Sequence, residues 1–180
     1  MRRAFGVLIA CAAACVLWVG YAATPAQATA GWKVVNSVSG GLSLPVPKAW
    51  SVIPPDKSTP GVVLQAFDEK LSLAIGPLGV QMVIIPGGSS LATFSTRVLS
   101  SVRKQPLVGG VTERSVRLSA RPARLLRYRV HAKPQDVVID DYVLVVGGKD
   151  ILVTFSVPYS RAGGYEPTFA RSIAGFRARA

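Results

Sequence analysis

Hydrophobic residues run almost unbroken from Ala4 to Ala23 and then, from Trp32 onward, split into short stretches divided by proline, glycine and charged clusters. Stretches of that length, rich in β-branched residues and closed by turn formers, predict strands. Gly41–Pro45 and Trp50–Ile53 are two of them, on either side of a turn at Pro47-Lys48-Ala49. Pro54-Pro55 and the polar loop from Asp56 to Pro60 close the second. Val62–Phe67 and Leu71–Ile75 predict a hairpin across Asp68-Glu69-Lys70, and Val80–Ile85 a further strand ended by Pro86-Gly87-Gly88.

The spacing then changes. Leu91, Phe94, Val98, Leu99 and Val102 recur at helical intervals, and Ser89 or Ser90 can cap the free N–H groups of a first turn. Arg103 and Lys104 suit the negative end of a helix dipole and Pro106 stops it, so a helix is predicted over 90–105. After Gly109-Gly110, strands follow over Thr112–Ser119, Ala123–Ala132, Val137–Val146 and Ile151–Val157, the last three joined by hairpin turns at Lys133–Asp136 and Gly147–Asp150. The glycine pairs at 87–88, 109–110, 147–148 and 163–164 all read as turn positions. Tyr165, Phe169, Ile173 and Phe176 mark a C-terminal helix over 165–176, with Pro167 in its first turn. This order predicts an α+β fold, a largely antiparallel sheet flanked by helices. No internal repeat divides it, so residues 41–180 read as one domain. Residues 29–40 form a lead-in, anchored by Trp32, with room for an edge strand.

The leading apolar run is an export device. Arg2 and Arg3 precede it, Pro25 breaks it, and Ala26-Gln27-Ala28 supplies the small residues a signal peptidase reads, which predicts a signal peptide over 1–28. Retention as an uncleaved anchor is the alternative, since about 20 apolar residues span a bilayer. Leu8-Ile9-Ala10-Cys11 resembles a lipobox placed unusually early. Cys11 and Cys15 both lie in this segment, so the chain from Thr29 onward has no thiol and its core must hold it without disulfides. The expected location is secreted or envelope-associated.

Charge narrows the partners. The chain carries 21 Lys and Arg against 9 Asp and Glu, net +12; without Arg2 and Arg3, 19 against 9 leaves about +10. Outside the cytoplasm such a balance favours anionic lipid or wall polymer over nucleic acid, with an unknown acidic protein as a further option. The basic residues concentrate between Arg97 and Lys133, where Glu113 alone opposes them. Arg117, Arg124, Arg127, Arg129 and Lys133 are the candidate anion-binding residues. The alternative reading, and the preferred one, is the solvated exterior of a sheet and helix, partly neutralised by the acids at 136–141. Arg127 and Arg129 share a strand face with Leu125 and His131, opposite Leu126, Tyr128 and Val130.

No catalytic, cofactor or metal site is expected. The only histidine is His131, which with the absence of cysteine from Thr29 onward removes thiolate and paired-histidine chemistry there. Ser101-Val102-Arg103-Lys104 spells S-x-x-K without its partner motifs. Asp140 and Asp141 point to opposite faces of a strand and cannot share a substrate. Pairing across Lys133–Asp136 brings one of them near Arg129 as a structural ion pair.

Several phrases along the chain resemble the PsbP-like family: Gly41-Leu42-Ser43-Leu44-Pro45 through Trp50, Arg121-Pro122-Ala123-Arg124, Gly148-Lys149-Asp150-Ile151-Leu152-Val153-Thr154-Phe155, and Phe169 to Phe176-Arg177. Within it, the chain is most similar to small secreted or lipid-anchored actinobacterial proteins of the LpqN type. The resemblance implies an antiparallel sheet sandwiched between helices, and a protein that binds or assists without catalysing. A non-catalytic extracytoplasmic accessory protein is therefore expected, with a carrier of an apolar ligand held between helix and sheet as the alternative. The oligomeric state stays open.

Overall fold

The computed structural model describes residues 31–37, 41–54, 61–71 and 79–178. The expected export segment over 1–28 and residues 72–75 of one expected strand lie outside them. Among the described residues no helix is long and apolar enough to cross a membrane.

In chain order the elements are β1 (Trp32–Asn36), β2 (Leu42–Pro47), β3 (Ser51–Ile53), β4 (Val62–Phe67), β5 (Gly79–Ile85), α1 (Leu91–Arg103), β6 (Val108–Leu118), β7 (Arg121–Val130), β8 (Val137–Val146), β9 (Lys149–Pro158), α2 (Ala162–Ala174) and β10 (Arg177–Ala178). Seven strands form one sheet in the order β3-β4-β5-β9-β8-β7-β6, and β1-β2-β10 form a second. Every pairing is antiparallel. The lead-in does supply a strand, β1, at the edge of the smaller sheet.

The hairpin expected from Val62–Phe67 and Leu71–Ile75 does not form as read, because the partner of β4 is β5. Asp68 sets the difference: its side chain accepts from the Lys70 N–H at 3.0 Å and its carbonyl from Leu71 at 2.9 Å. That is aspartate turn chemistry, and it winds Glu69–Leu71 into a 3-10 turn. The C-terminal helix starts three residues early, so Gly163-Gly164 lie inside it and Pro167 is its sixth residue, not part of its first turn. Both glycines face open space.

α1 packs on β8, β7 and β6 from one side, while α2 packs on β2 and β9 from the other. Ser90 caps α1, its Oγ accepting from Thr93 N–H at 3.1 Å, and Phe94, Val98 and Val102 are its buried stripe. On the opposite layer Phe155 lies 4.6 Å, centroid to centroid, from Phe169 of α2 and meets Tyr142 edge-on at 5.9 Å. Leu44, Phe155 and Phe176 there are fully buried.

Two hairpin turns use the same left-handed backbone with different residues. Gly147 and Gly148 join β8 to β9 at φ 55° and 71°, which glycine adopts without steric cost. Ser119 and Ala120 join β6 to β7 at φ 48° and 64°, where a Cβ costs about 1–2 kcal/mol per residue. Ser119 recovers part of this by donating its hydroxyl to the carbonyl of Phe176, which ties the turn to the C-terminal segment. Ala120 makes no such bond through its methyl. Ala120→Gly is therefore expected to raise stability by about 1 kcal/mol in urea unfolding, and an unchanged or lowered midpoint would contradict the strain.

Candidate functional site

The carboxylates decide which cations remain open. All eight described carboxylates are engaged by groups of this chain. Asp68 accepts from Tyr165 Oη at 2.7 Å, Glu69 from Ser51, Glu113 from Ser95 at 2.8 Å, and Asp136 lies 3.0 Å from His131 Nδ1. Asp140 accepts Arg127 Nε and Nη2 at 2.6 and 2.8 Å, and Glu166 accepts Arg127 Nη1 at 2.8 Å. Asp150 accepts Arg97 Nη2 at 2.6 Å, and Asp141 accepts from Tyr128 Oη at 2.8 Å and Thr154 Oγ1 at 2.5 Å.

The five candidate anion-binding residues do not share one surface. Arg127 and Arg129 face the α2 layer, and Arg127 is consumed by its two carboxylates. The expected pairing of Asp140 or Asp141 with Arg129 is corrected by the register, which sets Arg127 opposite Asp140 and Arg129 opposite Val138. Arg129 instead lies over the Tyr159 ring at 3.6 Å, with Asp136 at 3.8 Å. Arg117 and Arg124 face the α1 layer, Arg124 donating to Ser115 Oγ at 2.6 Å, and Lys133 is exposed in the turn after β7.

What the fold does assemble is a cationic edge. β6 ends the larger sheet, so one side of its backbone is unpaired. Arg114 and Arg117 on β6 and Arg121 just past the turn have no acidic partner among the described residues; the register points Arg114 and Arg121 to the α2 face of this edge and Arg117 to the α1 face, where Arg124 lies 3.9 Å from Glu113. The signal for this was the string from Thr112 to Arg117, polar on both strand faces as an exposed edge is. Arg114 and Arg121 lie within the charge-rich span, but nothing in its local pattern distinguishes them from the other arginines.

A second feature lay hidden in the apolar run of β8, where Asp140 and Asp141 are each 3% exposed. Burial pushes the Asp141 carboxyl up to about 6, with Asp140 adding to the rise and the Thr154 and Tyr128 hydroxyls opposing it. The same burial, then Asp141 itself, holds the Tyr128 phenol well above its ordinary value. Both Asp141 oxygens accept a hydroxyl proton, which leaves a structural carboxylate. No group of three or more metal-binding side chains occurs among the described residues. Ser101 and Lys104 lie in a shallow groove on the outer side of α1 with Thr96 and Ser100. An apolar ligand between helix and sheet would have to displace Phe94 or Phe155, both fully buried.

No protein-family model and no curated protein matches the chain. Its structure is similar to cyanobacterial PsbP (CyanoP) from Synechocystis sp. PCC 6803, at 14% identity over 89% of this chain and 99% of that one, with a TM-score of 0.60. LpqN, involved in cell envelope biogenesis of Mycobacterium tuberculosis, matches at 15% identity over 83% and 91%, with a TM-score of 0.51. PA94, a protein of unknown function from Pseudomonas aeruginosa, matches at 13% over 83% and 98%, with a TM-score of 0.52. The fold is thus PsbP-like, and identities this low transfer no residue's role.

Two substitutions separate structural charge from surface charge. Arg127→Met leaves Asp140 buried and unpaired and is expected to cost about 2–4 kcal/mol, whereas Arg117→Ala changes stability by no more than about 0.5 kcal/mol; equal losses in urea unfolding would refute the distinction. The raised Asp141 means the folded state binds its proton more tightly than the unfolded chain. Its contribution is therefore most favourable below pH 4 and is lost as pH rises to about 6, on the order of 3 kcal/mol. Asp141→Asn, which can still accept from Tyr128 and donate to Thr154, is expected to gain about 1–3 kcal/mol at pH 7 and to flatten that slope. A variant that keeps the wild-type slope would assign the titration to another group.

Proposed function

We propose that this protein is a non-catalytic accessory protein of the cell envelope, exported by its N-terminal segment. It docks on a phosphate-bearing anionic surface through the cationic edge of its larger sheet. The observation that carries the reading is the split in its charges: every described carboxylate is bound by a group of this chain, while Arg114 and Arg117 on the open edge strand β6, and Arg121 across the turn from it, have no acidic partner among the described residues. Guanidinium groups match phosphate oxygens with two parallel N–H bonds, so arginines flanking one sheet edge on both faces suit lipid headgroups or phosphate-bearing wall polymer. The fold likeness to LpqN, a protein involved in cell envelope biogenesis, supports an envelope setting. A non-catalytic role fits the two carboxylates of β8, which are buried and committed to Arg127, Tyr128 and Thr154.

Each basic residue near an anionic membrane contributes about 1 kcal/mol, so the triple variant Arg114→Glu, Arg117→Glu, Arg121→Glu should bind phosphatidylglycerol vesicles on the order of a hundredfold more weakly than the parent. Phosphatidylcholine vesicles should retain neither. A parallel sedimentation with purified wall polymer distinguishes the two sources of phosphate. Undiminished binding of the variant to both materials would end the proposal.

A further inference from the structure

The face of the larger sheet that α1 covers is only partly covered by it. α1 packs over β8, β7 and β6. Across the other strands on that face the register aligns Gln65 with Gln81, Gln81 with Thr154, and Thr154 with Asp141. Directly opposed residues on antiparallel strands share a face. Four polar side chains therefore form a straight row across β4, β5, β9 and β8, perpendicular to the strands.

The row is unevenly satisfied. Its inner end is closed, with Asp141 buried and both its oxygens occupied by Tyr128 and Thr154. Its outer end is open. Gln65 and Gln81 are half-buried, and their side-chain amides make no hydrogen bond among the described residues. Thr154 gives its one proton to Asp141, so its Oγ1 offers the row only lone pairs. One position along, Ser156 Oγ accepts from Gly79 N–H at 3.4 Å and keeps its own proton to donate, while Phe67, paired with Gly79, is half-buried beside it.

We propose that this row binds a neutral glycan chain lying across β4, β5 and β9. The row presents no open charge, so an anion gains nothing there and the site is distinct from the cationic edge. Each side-chain amide offers a donor and an acceptor, as each sugar hydroxyl does, so paired amides suit polyhydroxyl ligands. Strands lie about 4.8 Å apart, close to the length of one pyranose unit in an extended chain. Successive sugars would meet Gln65, Gln81 and Thr154 in turn, and the Phe67 ring supplies apolar surface for a sugar face.

The test uses the full chain labelled with ¹⁵N on glutamine and titrated with chitopentaose and with maltopentaose. The side-chain amide signals of Gln65 and Gln81 should shift saturably with at least one sugar, while those of Gln105 and Gln135 stay in place as internal controls. Gln81→Leu should weaken binding about tenfold, the loss of one to two hydrogen bonds. The triple glutamate variant of the cationic edge should bind the sugar as the parent does, so the two sites fail or stand separately. Signals of Gln65 and Gln81 that stay unmoved by both sugars, or an affinity unchanged by Gln81→Leu, would overturn the proposal.

Discussion

The central hairpin β8–β9 is buried on both faces in a domain without cysteine, and most of the architecture answers to that constraint. A strand packed on two sides has no solvated face on which to put charge, yet β8 carries two adjacent carboxylates. Strand alternation sends one into each layer. Toward α2, Asp140 receives two N–H groups of Arg127, whose third nitrogen reaches Glu166 and so joins that helix to the sheet. Toward α1, Asp141 is held by neutral hydroxyls alone. The same constraint therefore has two solutions on one strand, an ion pair that fastens a helix and a hydroxyl-capped carboxyl that resists ionisation.

Much of the fold was legible in the sequence wherever local chemistry is decisive. Val137–Val146 is a strand with the boundaries expected, because Asp136 and Gly147 bracket an apolar run, and Ser90 caps α1 because its hydroxyl is placed for the first turn. What failed was register. A four-residue turn at Lys133–Asp136 would pair Ala132 with Val137 and put Arg129 opposite Asp140; the real connection is two residues longer, pairing Val130 with Val137. A slip of two keeps every side chain on its expected face and changes its partner. That is why the two faces of β7 could be read correctly while the ion pair could not.

The candidate sites were less legible for a related reason. Arginines spread from Arg97 to Lys133 look like one patch in sequence, but pleating sends Arg124 and Arg127 to opposite layers, and Arg114, Arg117 and Arg121 are neighbours only because β6 is the edge strand and its turn leads into β7. The row from Gln65 to Asp141 draws on two pairs of successive strands, β4–β5 and β8–β9, that are far apart along the chain. No spacing rule links those residues; only the pairing of β4, β5, β9 and β8 does. The PsbP-like fold, shared with CyanoP and LpqN at 14% and 15% identity, is thus a scaffold whose particular chemistry resides in side chains that local pattern does not bring together.

The internal commitment of the carboxylates also decides what kind of signal the outer surface can sense. With every described acid engaged by a group of this chain and the arginines of the edge without acidic partners, the exterior of that edge is positive. Dissolved electrolyte is then the variable that counts. Between about 0.01 M and 0.15 M the Debye length shrinks from about 30 to about 8 Å, so the reach of the arginine edge contracts from the width of the domain to little more than a side chain. Attachment through this edge, as proposed, would thus follow the ionic strength around it, tightening on dilution and loosening in brine.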